Sequence, residues 1–117
     1  MQKVMLVEDD PTMLDLLRRL MEIEGFQVVQ VNAGQEPLAE IASEQPDIVL
    51  LDVYLEGISG LDVIKDLRAD PELAHTRVLM SSGMDYKDAC LKAGADDFIL
   101  KPYMPDELIR RIRELLT

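Results

Sequence analysis

Pro46-Asp47-Ile48-Val49-Leu50-Leu51-Asp52 is the stretch on which the fold turns. A turn signal precedes four unbroken apolar residues, and the run halts at a carboxylate. A strand with one wet face alternates apolar and polar residues. An unbroken run of this length suits a strand covered on both faces, as in a parallel sheet packed between helices. The pattern recurs in both directions along the chain. Val4-Met5-Leu6-Val7 stops at Glu8-Asp9, Val78-Leu79-Met80 stops at Ser81-Ser82, and Phe98-Ile99-Leu100 stops at Lys101. Val28-Val29-Gln30-Val31 supplies a fifth strand.

Helical patterns fill the gaps. Residues 12 to 24 place Leu14, Leu17 and Met21 on one stripe, and Gly25 ends it. Residues 36 to 44 form a shorter helix before the turn at Pro46. Ser59 with Asp62 three residues on resembles a capping box that opens a helix to about residue 69. Residues 86 to 93 form a short helix ended by Gly94, and Pro105 opens a last one striped by Leu108, Ile112 and Leu115. Asp10 precedes Pro11, so it reads as the N-cap of the first helix. Strand then helix, five times over, predicts an α/β fold with a parallel sheet. The 117 residues suit one domain spanning 1–117.

Lys and Arg total 12 against 23 Asp and Glu, a net charge of −11. Nucleic acids and anionic membranes are met with basic patches, so this balance predicts neither as a direct partner. Cys90 is the only cysteine, so no intramolecular disulfide can form; a buried thiol in a reducing, cytoplasmic setting is expected. No apolar run approaches the roughly 20 residues of a membrane span, and the apolar run near Met1 is too short for a secretory signal. His75 reads as a surface loop residue.

Open α/β sheets bind ligands beyond the carboxyl ends of their strands. If the first, third, fourth and fifth strands are neighbours, Glu8, Asp9, Asp52, Ser82 and Lys101 share one rim. Two carboxylates ~4 Å apart at an effective dielectric near 20 repel by about 4 kcal/mol. Lys101 offsets part of that, and a hard divalent cation, Mg²⁺ or Mn²⁺, suits the rest, because the donors are oxygens. The cluster has no His or Cys for zinc. A carboxylate beside a metal can attack phosphorus and form an acyl phosphate, with the lysine and a serine hydroxyl meeting the phosphoryl oxygens.

Four fragments in order resemble the receiver domains of two-component response regulators, the CheY-like family: Leu6 to Asp10, Pro46 to Asp52, Val78 to Ser82, and Ala93-Gly94-Ala95-Asp96-Asp97-Phe98-Ile99-Leu100-Lys101-Pro102. The resemblance covers essentially the whole chain. It implies a flavodoxin-like, doubly wound sheet of five parallel strands in the order 2-1-3-4-5. It implies that Asp52 is the phosphoacceptor in a two-component phosphorelay, and that Asp9 and Asp52 bind the metal directly. Glu8 would act on the metal mainly through water, and Tyr54 through its backbone carbonyl. Ser82, rather than adjacent Ser81, matches the switch hydroxyl, Phe98 the switch aromatic, and Lys101 the site lysine, with a cis Lys101-Pro102 bond. The implied donor is a sensor histidine kinase or histidine phosphotransfer protein. The module would act only on its own phosphorylation and dephosphorylation and signal through a protein-binding surface, expected near Phe98, Tyr103, Met104 and the last helix.

The chain also departs from the family. Glu56 stands where a proline is usual and Ser59 where an aspartate is frequent. The stretch 83–93, covering the fourth helix, is a few residues short. Tyr54 and Met84, two residues beyond Asp52 and Ser82, are bulky at positions that the resemblance implies flank the approach of hydrolytic water, which predicts slow loss of the phosphoryl group. Three other readings compete. A pseudo-receiver would signal without phosphate. An aspartate-based phosphatase would need a second acid where Tyr54 stands, and a flavin-binding protein would need a phosphate-cradling loop where Glu8-Asp9-Asp10 stands. With Thr117 closing the last helix, the chain is expected to be a stand-alone receiver or a piece of a longer regulator.

Overall fold

The apolar runs become strands covered on both faces. The computed structural model describes residues 1–32 and 35–117. In chain order it contains β1 (Lys3–Val7), α1 (Pro11–Ile23), β2 (Gln27–Gln30), α2 (Pro37–Glu44), β3 (Ile48–Asp52), a hairpin of β4 (Tyr54–Leu55) and β5 (Ile58–Ser59), α3 (Gly60–Ala69), β6 (Arg77–Ser82), α4 (Lys87–Ala93), β7 (Asp97–Leu100) and α5 (Pro105–Leu116). Five strands form one parallel sheet in the order β2-β1-β3-β6-β7. Counted without the hairpin this is the expected 2-1-3-4-5, a flavodoxin-like arrangement.

Strand alternation divides the core in two. Val4, Leu6, Ile48, Leu50, Leu79 and Ile99 face α1 and α5, where Leu17, Met21, Leu108 and Ile112 meet them. Met5, Val7, Val49, Leu51, Met80 and Phe98 face the other way, toward Ile41 of α2, Val63, Ile64 and Leu67 of α3, and Cys90 of α4. Each fully buried aliphatic side chain contributes roughly 1.5–3 kcal/mol, so covering both faces explains why the strand sequences lack polar alternation.

Local details agree with the sequence in some places and differ in others. Asp10 caps α1, its carboxylate accepting from the Thr12 and Met13 N–H groups at 2.9 and 3.4 Å. His75 is exposed, Cys90 is fully buried, and the Lys101-Pro102 peptide is cis. The strand before α4 runs on through both Ser81 and Ser82. The Ser59 capping box does not form: Ser59 makes no side-chain cap bond. Its backbone instead belongs to the hairpin opposite Tyr54, and the first helical N–H, that of Gly60, donates to the Val53 carbonyl at 2.8 Å. Helix α4 is short, seven residues, as the sequence implied. Arg68 ties the far end of α3 to neighbouring loops, donating to the carbonyls of Gly94, Ala74 and Thr76 and pairing with Asp96 at 2.9 Å. Among the described residues no helix is long and apolar enough to cross a membrane.

Candidate functional site

The register decides what meets at the rim. β1 ends at Val7, so Glu8 and Asp9 emerge beside the end of β3, where Asp52 stands. Asp52 lies opposite Ser81 and Ser82 opposite Leu100. Backbone bonds carry this pairing past the strand ends: the Val53 N–H donates to Ser81 at 2.9 Å and the Lys101 N–H to Ser82 at 2.8 Å. Lys101 is thereby fixed at the tip of β7 and its side chain reaches back over the sheet.

Its ammonium sits 2.7 Å from Glu8 Oε2 and 2.9 Å from Asp52 Oδ2. The three side chains are largely buried, with 20%, 9% and 11% of Lys101, Glu8 and Asp52 exposed. Burial alone would lower the lysine pKa. Hydrogen bonds and charge from Glu8 and Asp52 outweigh it, so the ammonium is held above its ordinary value. Ser82 is buried, and its Oγ accepts from the Met84 N–H at 3.1 Å, which leaves the hydroxyl its own hydrogen to donate.

Asp9 lies apart from that pair. Its carboxylate accepts from the backbone N–H of Glu56 in the β4–β5 turn. Among the described residues no three His, Cys, Asp or Glu side chains are drawn together as a ligand set. The chemistry of the donors nevertheless suits a hard cation. Glu8, Asp9 and Asp52 bring three negative charges to adjoining strand ends against the single positive charge of Lys101, and every donor is oxygen.

Phe98 is 4% exposed and belongs to the α3/α4 side of the core, so it cannot present its ring directly to a partner in this conformation. Met104 is exposed and Tyr103 only partly so. No local pattern signals the setting of the Tyr103 hydroxyl, which is buried with no hydrogen-bond partner among the described residues. Burial pushes its phenol up to about 12, with the Lys101 charge pulling it down and Glu8 and Asp52 raising it further. The folded value exceeds that of the unfolded chain, so the folded state holds this proton more tightly. The associated stability is complete below pH ~10 and is lost as pH rises through about 12. An ultraviolet phenolate titration should show a late step that disappears in Tyr103→Phe. Superimposable curves would contradict this.

Gly60 is a further residue that sequence reading missed. A Cβ built there would lie 2.2 Å from the Asp52 carbonyl oxygen and 2.9 Å from Val53 Cα. The helix after the hairpin therefore starts against the backbone of the candidate acceptor. A glycine following Ser59 was the only available signal, and it is weak.

Comparison with known proteins agrees with the fold. The family model for the response regulator receiver domain matches residues 4–113. The DNA-binding response regulator MtrA of Mycolicibacterium smegmatis is 36% identical over 117 residues, covering 98% of this chain and 50% of that protein. The chain thus spans about half the length of the curated relatives it matches. The BeF3-activated N-terminal receiver domain of Klebsiella pneumoniae RstA superposes with a TM-score of 0.89 at 32% identity, covering 98% of each chain. The receiver domain of sensor histidine kinase PA1611 from Pseudomonas aeruginosa, solved with a magnesium ion coordinated in its active site cleft, superposes with a TM-score of 0.87 at 23% identity, covering 98% of this chain and 97% of that one.

MtrA corrects one expectation. Acidity predicted no nucleic-acid partner, yet this relative is a DNA-binding regulator matched over half its length. Net charge describes the surface of one domain and carries no information about DNA contacts made by another part of the same protein.

Proposed function

The chain belongs to the response regulator receiver domain family, and from that premise we propose that residues 1–117 form one receiver domain that accepts a phosphoryl group on Asp52 from a histidine kinase or phosphotransfer protein. Receiver domains are signalling modules rather than classical enzymes. The observation that carries the reading is the Lys101 bridge, one ammonium spanning Asp52 and Glu8 at 2.9 and 2.7 Å.

An Asp52 carboxylate oxygen forms the bond to phosphorus as the donor's P–N bond breaks and the imidazole leaves with the electron pair. The Lys101 ammonium is placed to follow the incoming negative charge from the carboxylate to a phosphoryl oxygen. The Ser82 hydroxyl donates to another, with Phe98 repacking behind it. A divalent cation, Mg²⁺ or Mn²⁺, would be held by Asp9, Asp52 and the Tyr54 backbone carbonyl, with Glu8 acting through water, and would supply charge neutralisation of the phosphoryl oxygens. The Glu56 N–H engages one Asp9 carboxylate oxygen, which leaves the second for the cation. The phosphorylated state then alters a protein-binding surface, in a cytoplasmic setting.

Magnesium is the first test. At about ten times its dissociation constant it should stabilise the chain by about 1.4 kcal/mol, raising the melting temperature by about 5 °C. Uptake of phosphate from a small phosphodonor should stop when a chelator is added. A melting temperature indifferent to magnesium, with uptake unaffected by chelator, would reject the proposal.

A further inference from the structure

Tyr86 has no part in the chemistry above, yet it touches the two side chains that stand beyond Asp52 and Ser82. Tyr54 lies two residues after Asp52 and is 61% exposed; Met84 lies two residues after Ser82 and is 62% exposed. Exposed side chains on loops ordinarily sample several rotamers. Here the Tyr54 and Tyr86 hydroxyls are hydrogen-bonded to each other. Their rings meet edge to face, with centroids 5.6 Å apart and planes at 70°, the preferred geometry of an aromatic pair. The Tyr86 hydroxyl also lies 3.9 Å from the Met84 sulfur.

The three side chains differ in anchorage. Tyr86 is half-buried and packs against the core cluster on the α3/α4 side. It stands at the start of α4, where its carbonyl accepts from the Cys90 N–H at 2.9 Å. Tyr54 belongs to a hairpin whose strands are two residues each. The fixed member of the pair is therefore Tyr86, and the member being held is Tyr54. Together they join the loop after the acceptor strand to the loop after the serine strand, across the edge of the site.

We propose that Tyr86 is a positioning residue that pins Tyr54 across the mouth of the site and so, with Met84, prolongs the life of the aspartyl phosphate. The inference rests on the reading of Asp52 as phosphoacceptor. Hydrolysis requires a water oxygen to bond to phosphorus as the bond to the Asp52 oxygen breaks; inorganic phosphate leaves and the water's proton passes to it or to solvent. A fastened Tyr54 obstructs that water. An unfastened one swings clear.

The experiment loads the intact chain with a small phosphodonor and Mg²⁺, removes the donor, and follows phosphoryl mass over time. Tyr86→Phe keeps the ring and deletes the hydroxyl, so loading should stay stoichiometric while decay quickens about threefold to tenfold. Tyr54→Phe deletes the other half of the same bond, so the double variant should decay no faster than either single one. A general loss of packing would instead lower the melting temperature and add across the two variants. Wild-type loading followed by decay that Tyr86→Phe leaves unchanged, or additive effects of the two variants, overturns the inference alone. A wild type that never gains phosphoryl mass overturns the underlying reading, and this inference falls with it.

Discussion

Gly60→Ala is expected to destabilise the fold by about 3 kcal/mol, with a fall in melting temperature of about 10 °C. The reason is the approach of two backbones. The new Cβ would meet the Asp52 carbonyl oxygen at 2.2 Å and Val53 Cα at 2.9 Å, and neither is the end of a flexible side chain that could turn aside. Relief requires α3 to retreat, which breaks the bond from the Gly60 N–H to the Val53 carbonyl. It also displaces the segment that presents Asp52, so phosphoryl uptake should fall with stability. Gly83→Ala is the control. A Cβ at Gly83 meets nothing within 4 Å, and that exchange should be neutral or stabilising by up to about 1 kcal/mol through a less flexible unfolded chain. Thermal and urea denaturation of both variants decide the matter; equal stabilities would show that the close approach has no energetic weight.

Lys101→Met should be comparably costly, by a different route. Removing one partner of a largely buried ion pair leaves the other charges uncompensated, at a cost of about 3–5 kcal/mol. Here the abandoned groups are two, Glu8 and Asp52, each within 2.9 Å of the lost ammonium. Two outcomes separate this account from simple loss of packing. Magnesium should restore part of the stability by supplying the missing positive charge. Adding Glu8→Gln should recover stability too, because it removes one of the two opposed charges. Phosphoryl uptake by the single variant should drop at least about a hundredfold, the usual effect of deleting a donor aimed at developing negative charge. A Lys101→Met protein as stable as the original, and insensitive to magnesium, would contradict the electrostatic picture.

The readable parts of this molecule are those governed by near neighbours in sequence. Continuous apolar runs such as Ile48–Leu51 report two covered faces, and the acids and lysine that end them mark one edge of the sheet. Asp10 before Pro11 is legible as a cap because capping is settled within four residues. The unread parts depend on contacts made at a distance. The β4–β5 hairpin has two residues per strand, too few for any periodicity. Ser59 carries the letters of a capping box, but its backbone is already engaged in that hairpin. Gly60 looks like any glycine until Val53 arrives beside it, and Arg68 like a surface arginine until four groups from two loops gather around it. Phe98 is legible as the first residue of an apolar run, but its full burial depends on α3 and α4 closing over it. At the rim, spacing places Glu8, Asp9 and Asp52 together; in the folded chain Lys101 joins Glu8 to Asp52, and Asp9 turns to the Glu56 N–H. Which carboxylates share a cation is set by side-chain rotamers, which the strand pattern does not encode.

Everything proposed for the rim depends on Asp52 taking the phosphoryl group. Intact-mass measurement after incubation with Mg²⁺ and a small-molecule phosphodonor tests it directly, with the original chain and Asp52→Asn treated alike. One added phosphoryl group on the original chain and none on Asp52→Asn is the predicted result. Equal labelling of the two at the same rate would contradict it.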